Sequence, residues 1–161
     1  MDIFNYALQF EHDGEVFYRD NALRVKDPNL ADILLFLAAE EQKHYKMIKD
    51  YKTASPARPA SIFLSDIQNI FTRMKEKQIA FVEEKSTVTE ILNKALAIED
   101  ESIQYYDKKK NEVDDPKAKE LLSILKRQED AHYSLIGSLL EYYDTPSLWL
   151  ENAEFNHINE Y

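Results

Sequence analysis

The chain has 161 residues, of which 44% are hydrophobic and 31% charged, with only two glycines and five prolines. This composition argues against disorder and against a turn-rich β fold, and it favours long helices in one domain. The formal net charge of −10 argues against nucleic acid and anionic membranes as partners, and the lack of cysteine excludes disulfides, thiol catalysis and Cys-bound iron or zinc within these residues.

Two helices are predicted in the first third of the chain. Apolar residues recur at helical spacing from Asp2 to about Val25. Asp27 and Pro28 then provide an N-cap and a proline at the first helical position, so a second helix is expected from Pro28 to about Lys52. A segment with two prolines follows and ends this helix.

The middle of the chain contains a long connection and the start of a third helix. Residues 66–84 are partly helical in pattern, without a clear role. Thr87 with Glu90 three residues later has the pattern of a capping box, in which each side chain bonds to the backbone of the other residue. We therefore expect the third long helix to begin there and to run to about Val113.

A fourth helix is predicted to follow directly. Asp115 and Pro116 repeat the Asp-Pro start of the second helix, and the apolar spacing continues to about Tyr143. The tail, 144–161, is expected to form a short amphipathic helix that covers the bundle or a subunit interface.

The sequence repeats itself at a shift of 88 residues without a gap. The matched pairs are Ala7 with Ala95, Glu11 with Glu99, Tyr18 with Tyr106, Pro28 with Pro116, Glu41 with Glu129, His44 with His132, Tyr45 with Tyr133 and Ile48 with Ile136. Two helical hairpins of one design, each with one bare apolar face, predict a single all-α domain with the architecture of a four-helix bundle. Its expected parts are repeat 1 (about 2–53), a crossover (about 54–87), repeat 2 (about 88–143) and the tail.

The motif Glu-x-x-His occurs three times. Two copies, Glu41 with His44 and Glu129 with His132, coincide under the repeat. The third, in the tail, consists of Glu154 and His157; it has no repeat partner, so chance or a surface polar pair explains it better. Positions i and i+3 share one helix face, so such a Glu and His can hold one metal ion, and a carboxylate can also bridge two ions.

The other two helices are expected to supply one carboxylate each. Glu11 has the repeat partner Glu99, whereas Glu15, one turn later, is matched with Ile103; Glu11 is therefore preferred over Glu15. Four converging carboxylates would repel each other in a core, and two divalent cations would cancel their charge. The predicted metal ligands are Glu11, Glu41, His44, Glu99, Glu129 and His132, which is the composition of a di-metal carboxylate site in a helical bundle.

Three other residues have simpler interpretations. Tyr45 and Tyr133 are expected to pack in the core, with a place beside the metal site as the alternative. His12 lacks a Glu three residues before it and is expected to lie on the surface.

At the pattern Ala-x-x-x-Glu-x-x-x-x-x-x-Tyr, written once at Ala7 and again at Ala95, with a later Glu-x-x-His in each repeat, the sequence resembles the rubrerythrin branch of the ferritin-like superfamily. The resemblance covers about residues 2–143. It implies a non-haem site with two iron ions, in which Glu41 and Glu129 bridge the ions while Glu11, Glu99, His44 and His132 bind one ion each. It also implies that Tyr18 and Tyr106 lie beside the site as candidate catalytic residues.

The resemblance further implies reduction of hydrogen peroxide or dioxygen in a prokaryotic cytoplasm, as protection from oxidative stress. Rubrerythrins also carry a rubredoxin domain with Cys-bound iron. This sequence has no cysteine, so electrons are expected from a separate donor protein such as a rubredoxin. Rubrerythrins usually place an extra Glu one turn after the third-helix ligand, and Ser102 stands at that position here.

Several alternatives stay open at the level of sequence. The protein could instead be an iron-binding ferroxidase or storage protein, or a bundle whose metal only stabilises the fold. Manganese or zinc could replace iron, because both accept carboxylate and imidazole ligands. A homodimer is expected, with the hairpins packed within one chain or exchanged between two. No membrane partner is expected, since no apolar run is long enough to span a bilayer.

Overall fold

A computed structural model describes residues 2–54 and 84–144. These two ranges contain no strand and form four helices: α1 (Ile3–Arg24), α2 (Pro28–Lys52), α3 (Lys85–Lys109) and α4 (Pro116–Asp144). The prediction of an all-α four-helix bundle is confirmed. None of these described helices is long and apolar enough to cross a membrane. The predicted pattern at 66–84, except its last residue, lies outside the described residues, as do the tail helix and the tail pair Glu154 and His157.

Aspartate side chains fix the starts of α2 and α4. Asp27 Oδ1 accepts hydrogen bonds from the backbone N–H groups of Asn29 and Leu30 at 2.8 and 3.0 Å. Asp115 Oδ1 accepts in the same way from the N–H of Lys117 at 3.1 Å. These bonds satisfy N–H groups that have no partner within the helix, which is why both Asp-Pro pairs predicted the helix starts correctly.

The predicted capping box of α3 was wrong. The helix begins at Lys85, and its N-cap residue Glu84 makes no side-chain cap hydrogen bond. The backbone N–H of Val88 already bonds to the Glu84 carbonyl at 3.1 Å, so Thr87 lies inside the first turn and cannot cap it. Glu90 forms an ion pair with the lysine one turn later instead, at 3.0 Å. The helix also ends at Lys109, before the predicted end.

The helices pair as two hairpins that meet face to face. Helix α1 packs along α2 and α3 along α4, while the hairpins meet through α2 with α4 and α1 with α3. Buried apolar residues form two clusters. The first apolar cluster contains Leu34, Leu37, Leu92, Leu135 and Leu139 among others, and the second contains Ala7, Met47, Ile48, Tyr106, Leu121, Leu122 and Leu125.

A polar layer separates the two apolar clusters. Along α2, for example, the buried residues change from Leu37 in the first cluster to Glu41 and His44 and then to Ile48 in the second cluster. Each helix places at least one carboxylate in this layer. The apolar clusters therefore hold the polar layer in the middle of the bundle, away from water.

Candidate metal centre

The polar layer contains all six predicted ligands. Their side chains come from four helices and are between 0% and 3% exposed: Glu11, Glu41, His44, Glu99, Glu129 and His132. Charged groups are rarely buried to this extent unless they are paired or bind metal. Their burial alone therefore calls for a compensating charge.

The six residues form two overlapping groups that could each hold one metal ion. One group consists of Glu11, Glu41, His44 and Glu129, and the other of Glu41, Glu99, Glu129 and His132. Within each group, one possible ligand atom per residue lies within 4.8 Å of the others. Only Glu41 and Glu129 belong to both groups. They occupy the place that bridging carboxylates would take between two ions.

The two ring nitrogens of His44 face different partners. Its Nδ1 lies 3.2 Å from Glu11 Oε2 and 3.1 Å from Glu129 Oε1. Its Nε2 lies 2.6 Å from Gln128 Oε1, a carbonyl oxygen that can only accept a hydrogen bond. The bond to Gln128 thus keeps the proton on Nε2 in the neutral ring and leaves Nδ1 as the nitrogen that faces the carboxylates.

His132 faces the second group in the same way. Its Nδ1 lies 2.9 Å from Glu129 Oε2, 3.3 Å from Glu41 Oε1 and 3.5 Å from Glu99 Oε2. The two imidazole rings are stacked, with centroids 5.4 Å apart. Both Nδ1 atoms therefore point at the shared carboxylates from opposite repeats.

Two buried tyrosines hold the carboxylates that belong to only one group. Tyr18 on α1 donates a hydrogen bond to Glu99 Oε1, and Tyr106 on α3 donates one to Glu11 Oε1. Each tyrosine thus holds the carboxylate of the other hairpin. Burial, followed by the neighbouring carboxylates, raises the pKa of both phenols well above the usual value, so they remain donors at neutral pH.

The carboxylates differ in how easily they ionise without metal. Burial and the charges of Glu129, Glu11 and Glu99 raise the pKa of Glu41 well above its usual value. Burial and the charge of Glu129 raise the pKa of Glu99 to about 8. Burial opposes ionisation of Glu129 as well, but the imidazoles of His44 and His132 hold its pKa well below the usual range. Without metal, Glu41 and Glu99 are therefore much harder to ionise than Glu129.

The donor set fits a pair of divalent metal ions. Four carboxylates carry four negative charges when ionised, which two divalent cations would balance. Glu41 Oε1 is buried and accepts no hydrogen bond from any residue that the structure describes. An oxygen in this position costs free energy unless a cation binds it. The six residues would hold the ions, with Glu41 and Glu129 between them.

The other residues singled out in the sequence lie away from this layer. Glu15 forms an ion pair with the arginine one turn later, at 2.8 Å, and belongs to neither group. His12 is exposed, as expected. The expectation of core packing was wrong for Tyr133, whose side chain is 41% exposed, and Tyr45 is only half-buried. Each follows an inward-facing histidine, and the next residue on a helix points about 100° away.

Two buried polar residues around the histidines are not among the ligands predicted from the sequence. Gln128 is buried and binds His44, and Glu40 is buried within 4.8 Å of both imidazoles, where it also binds Lys43 at 2.6 Å. Because the same imidazoles belong to the two carboxylate-rich groups, Glu40 does not define an independent third site. The available signal was the repeat itself, since Glu40 and Gln128 are matched positions that are polar in both copies.

A comparison with known families identifies the chain. The family model described as rubrerythrin matches residues 2–140, which include all four described helices up to the last turn of α4. No curated protein and no solved structure matches the chain. The match covers both repeats and all six residues of the polar layer. The chain therefore belongs to the rubrerythrin family of ferritin-like di-iron carboxylate proteins.

Proposed function

We propose that the protein is a di-iron oxidoreductase that reduces hydrogen peroxide, or dioxygen, with electrons from a separate donor protein. The observation that carries this proposal is the pair of four-residue groups that share Glu41 and Glu129. Family membership supports iron as the metal. When bound, two ferrous ions would supply two electrons, which is the number that reduction of one peroxide to water requires.

The side chains of the layer would bind and orient the metal pair. The shared carboxylates would bridge it, while Glu11 with His44 and Glu99 with His132 would complete one ion each. Carboxylates accept one or two ions, so this set tolerates the change of metal charge that accompanies redox chemistry. The hydrogen bond from His44 Nε2 to Gln128 fixes the ring so that Nδ1 stays available.

The two buried tyrosines would orient ligand carboxylates by hydrogen bonds during the reaction. Tyr18 and Tyr106 donate to Glu99 and Glu11, so these carboxylates keep one oxygen occupied and offer the other to metal. Peroxide reduction consumes protons. The phenol of Tyr106 donates a hydrogen bond to a proposed ligand carboxylate, so it would position a proton donor next to the metal pair.

The presence of Ser102, in place of a carboxylate, favours a second candidate function. This residue is 5% exposed and stands where the resemblance to rubrerythrins expects a further carboxylate. The two four-residue groups therefore contain four carboxylates between them in place of five, and each group has the same donor set of three carboxylates and one imidazole. Such a symmetrical site would also suit an iron-oxidising protein that releases its product instead of turning over with an electron donor.

Turnover experiments separate the two candidates. Purified iron-loaded protein would be mixed with hydrogen peroxide, a rubredoxin and its reductase, and consumption of the reductant would be followed. Multiple turnovers per site, lost in Glu129→Ala, support the oxidoreductase. Iron uptake far beyond two ions per chain, without reductant consumption, supports iron handling. Neither activity, in a protein whose stability still depends on metal, would refute both and leave a structural role.

A further inference from the structure

Gly14 lies where a side chain would collide with a proposed bridging ligand. It is buried in the middle of α1, one turn after Glu11. A Cβ atom built on Gly14 would lie 2.9 Å from Glu41 Oε2, and 3.4 and 3.5 Å from Glu41 Cδ and Cγ. The last two distances are ordinary contacts, but the first is closer than real Cβ atoms approach an oxygen. The carboxylate end of Glu41 therefore occupies the space that a side chain at position 14 would need.

The helix gains nothing from a glycine at this position. Glycine is among the least favourable residues in a helix interior, because it leaves the unfolded backbone the most freedom. Its backbone here has no positive φ that would require glycine. The chain contains two glycines, and the other one, Gly137 on α4, has no atom within 4 Å of an added Cβ. Only Gly14 is thus explained by the close approach of another group.

The space around the Glu41 carboxylate affects its position because its Oε1 atom has few polar contacts. Glu129, the other shared residue, lies within 3.1 Å of Nδ1 of both His44 and His132. Glu41 Oε1 has only the longer contact to His132, at 3.3 Å, and accepts no hydrogen bond within the described part of the chain. Close packing therefore contributes to the position of the Glu41 carboxylate, and Gly14 forms part of that packing.

The two repeats differ at this point. The repeat partner of Gly14 is Ser102, which carries a Cβ in the same buried layer. The missing side chain is therefore a property of the first repeat alone and not of the bundle architecture. Gly14 belongs to the same repeat as Glu41, which is the shared carboxylate with fewer polar contacts.

We propose that Gly14 is a positioning residue for the metal pair: it leaves open the space from which the Glu41 carboxylate reaches both ions. This inference rests on the metal pair of the proposed function and adds a residue that binds no metal itself. A methyl group at position 14 would displace Glu41 Oε2 by about 0.5 Å to reach ordinary contact at 3.4 Å. This oxygen is the end of a flexible side chain, so the carboxylate would move at little cost to folding, and the effect would fall on its position relative to the ions. Because Glu41 belongs to both groups, both ions would be affected together.

The test compares Gly14→Ala and Gly14→Ser with Gly137→Ala, which adds the same methyl group in open space. Affinity for ferrous iron would be measured anaerobically by competition with a chelator, and melting of the metal-free proteins would be followed by circular dichroism. We expect about 10- to 100-fold weaker binding of both ions in Gly14→Ala, the range seen when residues that orient metal ligands are changed. A further loss is expected in Gly14→Ser, and unchanged affinity in Gly137→Ala.

The metal-free proteins give an independent result. Gly137→Ala should melt higher than the wild type, because alanine favours the helix. Gly14→Ala should gain less than Gly137→Ala, because the contact with Glu41 exists without metal. Wild-type iron affinity in Gly14→Ala, or an equal loss in Gly14→Ala and Gly137→Ala, would overturn the inference. A wild type that binds two irons but does not turn over peroxide would instead contradict the proposed activity and leave the role of Gly14 intact.

Discussion

Removing the metal should reverse the pH dependence of stability between about pH 5 and 8. In the metal-free protein, burial and neighbouring charge raise the pKa of Glu99 from 4.5 to about 8 and raise that of Glu41 in the same direction. A group whose pKa is raised in the folded state contributes stability below its unfolded pKa, and this contribution is lost as the pH rises through the folded value. The metal-free protein should therefore become less stable as the pH rises from about 4.5 to 8.

The size of the effect follows from Glu99 alone. The shift from 4.5 to about 8 corresponds to about 5 kcal/mol at most, since each pKa unit is worth about 1.4 kcal/mol. The raised pKa values of His44 and His132, in which neighbouring carboxylates outweigh burial, act in the same direction. The lowered pKa of Glu129 acts in the opposite direction, but only below its unfolded value of 4.5. All shifts in the window of pH 4.5–8 thus have one sign.

Thermal melts of metal-free and metal-loaded protein at pH 5.5, 7 and 8.5 would test this prediction. A domain of this size changes its Tm by about 2–4 °C per kcal/mol, so the metal-free form should lose roughly 5–15 °C between the lowest and highest pH. The metal-loaded form should show the opposite trend, because protons compete with metal for the ligands. Glu99→Gln should flatten the curve of the metal-free form. A metal-free wild type that is equally stable at all three pH values would refute the buried-carboxylate account.

Four further substitutions test individual contacts. Glu41→Ala should lower the affinity for both metal ions, whereas His44→Ala should weaken one ion more than the other; metal titration followed by mass spectrometry would distinguish these outcomes, and two tightly bound irons in Glu41→Ala would contradict a bridging role. Tyr106→Phe should destabilise the metal-free protein by about 1–3 kcal/mol in urea unfolding, because it removes the donor to buried Glu11, and an unchanged midpoint would show that the bond is unimportant. Gln128→Leu should weaken metal binding about 10-fold or more through the loss of ring orientation, and binding at wild-type strength would count against that role.

Much of the fold could be predicted because Asp-Pro pairs mark the starts of two of the four helices. Asp27 and Asp115 accept the backbone hydrogen bonds that their sequence context predicted. The repeat then predicted the pairing of the hairpins, since matched inward-facing residues must share one core. The Thr87 prediction failed because a capping pattern identifies residues that can cap, and the backbone bond from Val88 to Glu84 had already started the helix.

Contacts between helices were harder to predict than positions along one helix. Helical spacing placed His44 and His132 on inner faces, but it gave no information on which residue of another helix would meet each ring nitrogen. The contact between Gln128 and His44, which lie in opposite repeats, was therefore not predicted. The same holds for Gly14, whose importance depends on the rotamer of Glu41 on a different helix. Tyr133 was wrongly predicted to lie in the core because the prediction relied on its aromatic side chain. Its position directly after the inward-facing His132 points it about 100° away from the core.

The central claim is that the six buried residues hold two metal ions with Glu41 and Glu129 between them. Its most direct test is the metal content and the absorption spectrum of protein purified without chelators and then oxidised in air. We predict two irons per chain and the near-ultraviolet absorption of a coupled ferric pair, both lost in Glu129→Ala. One iron per chain, or two irons that remain in Glu129→Ala, would contradict the shared-carboxylate site.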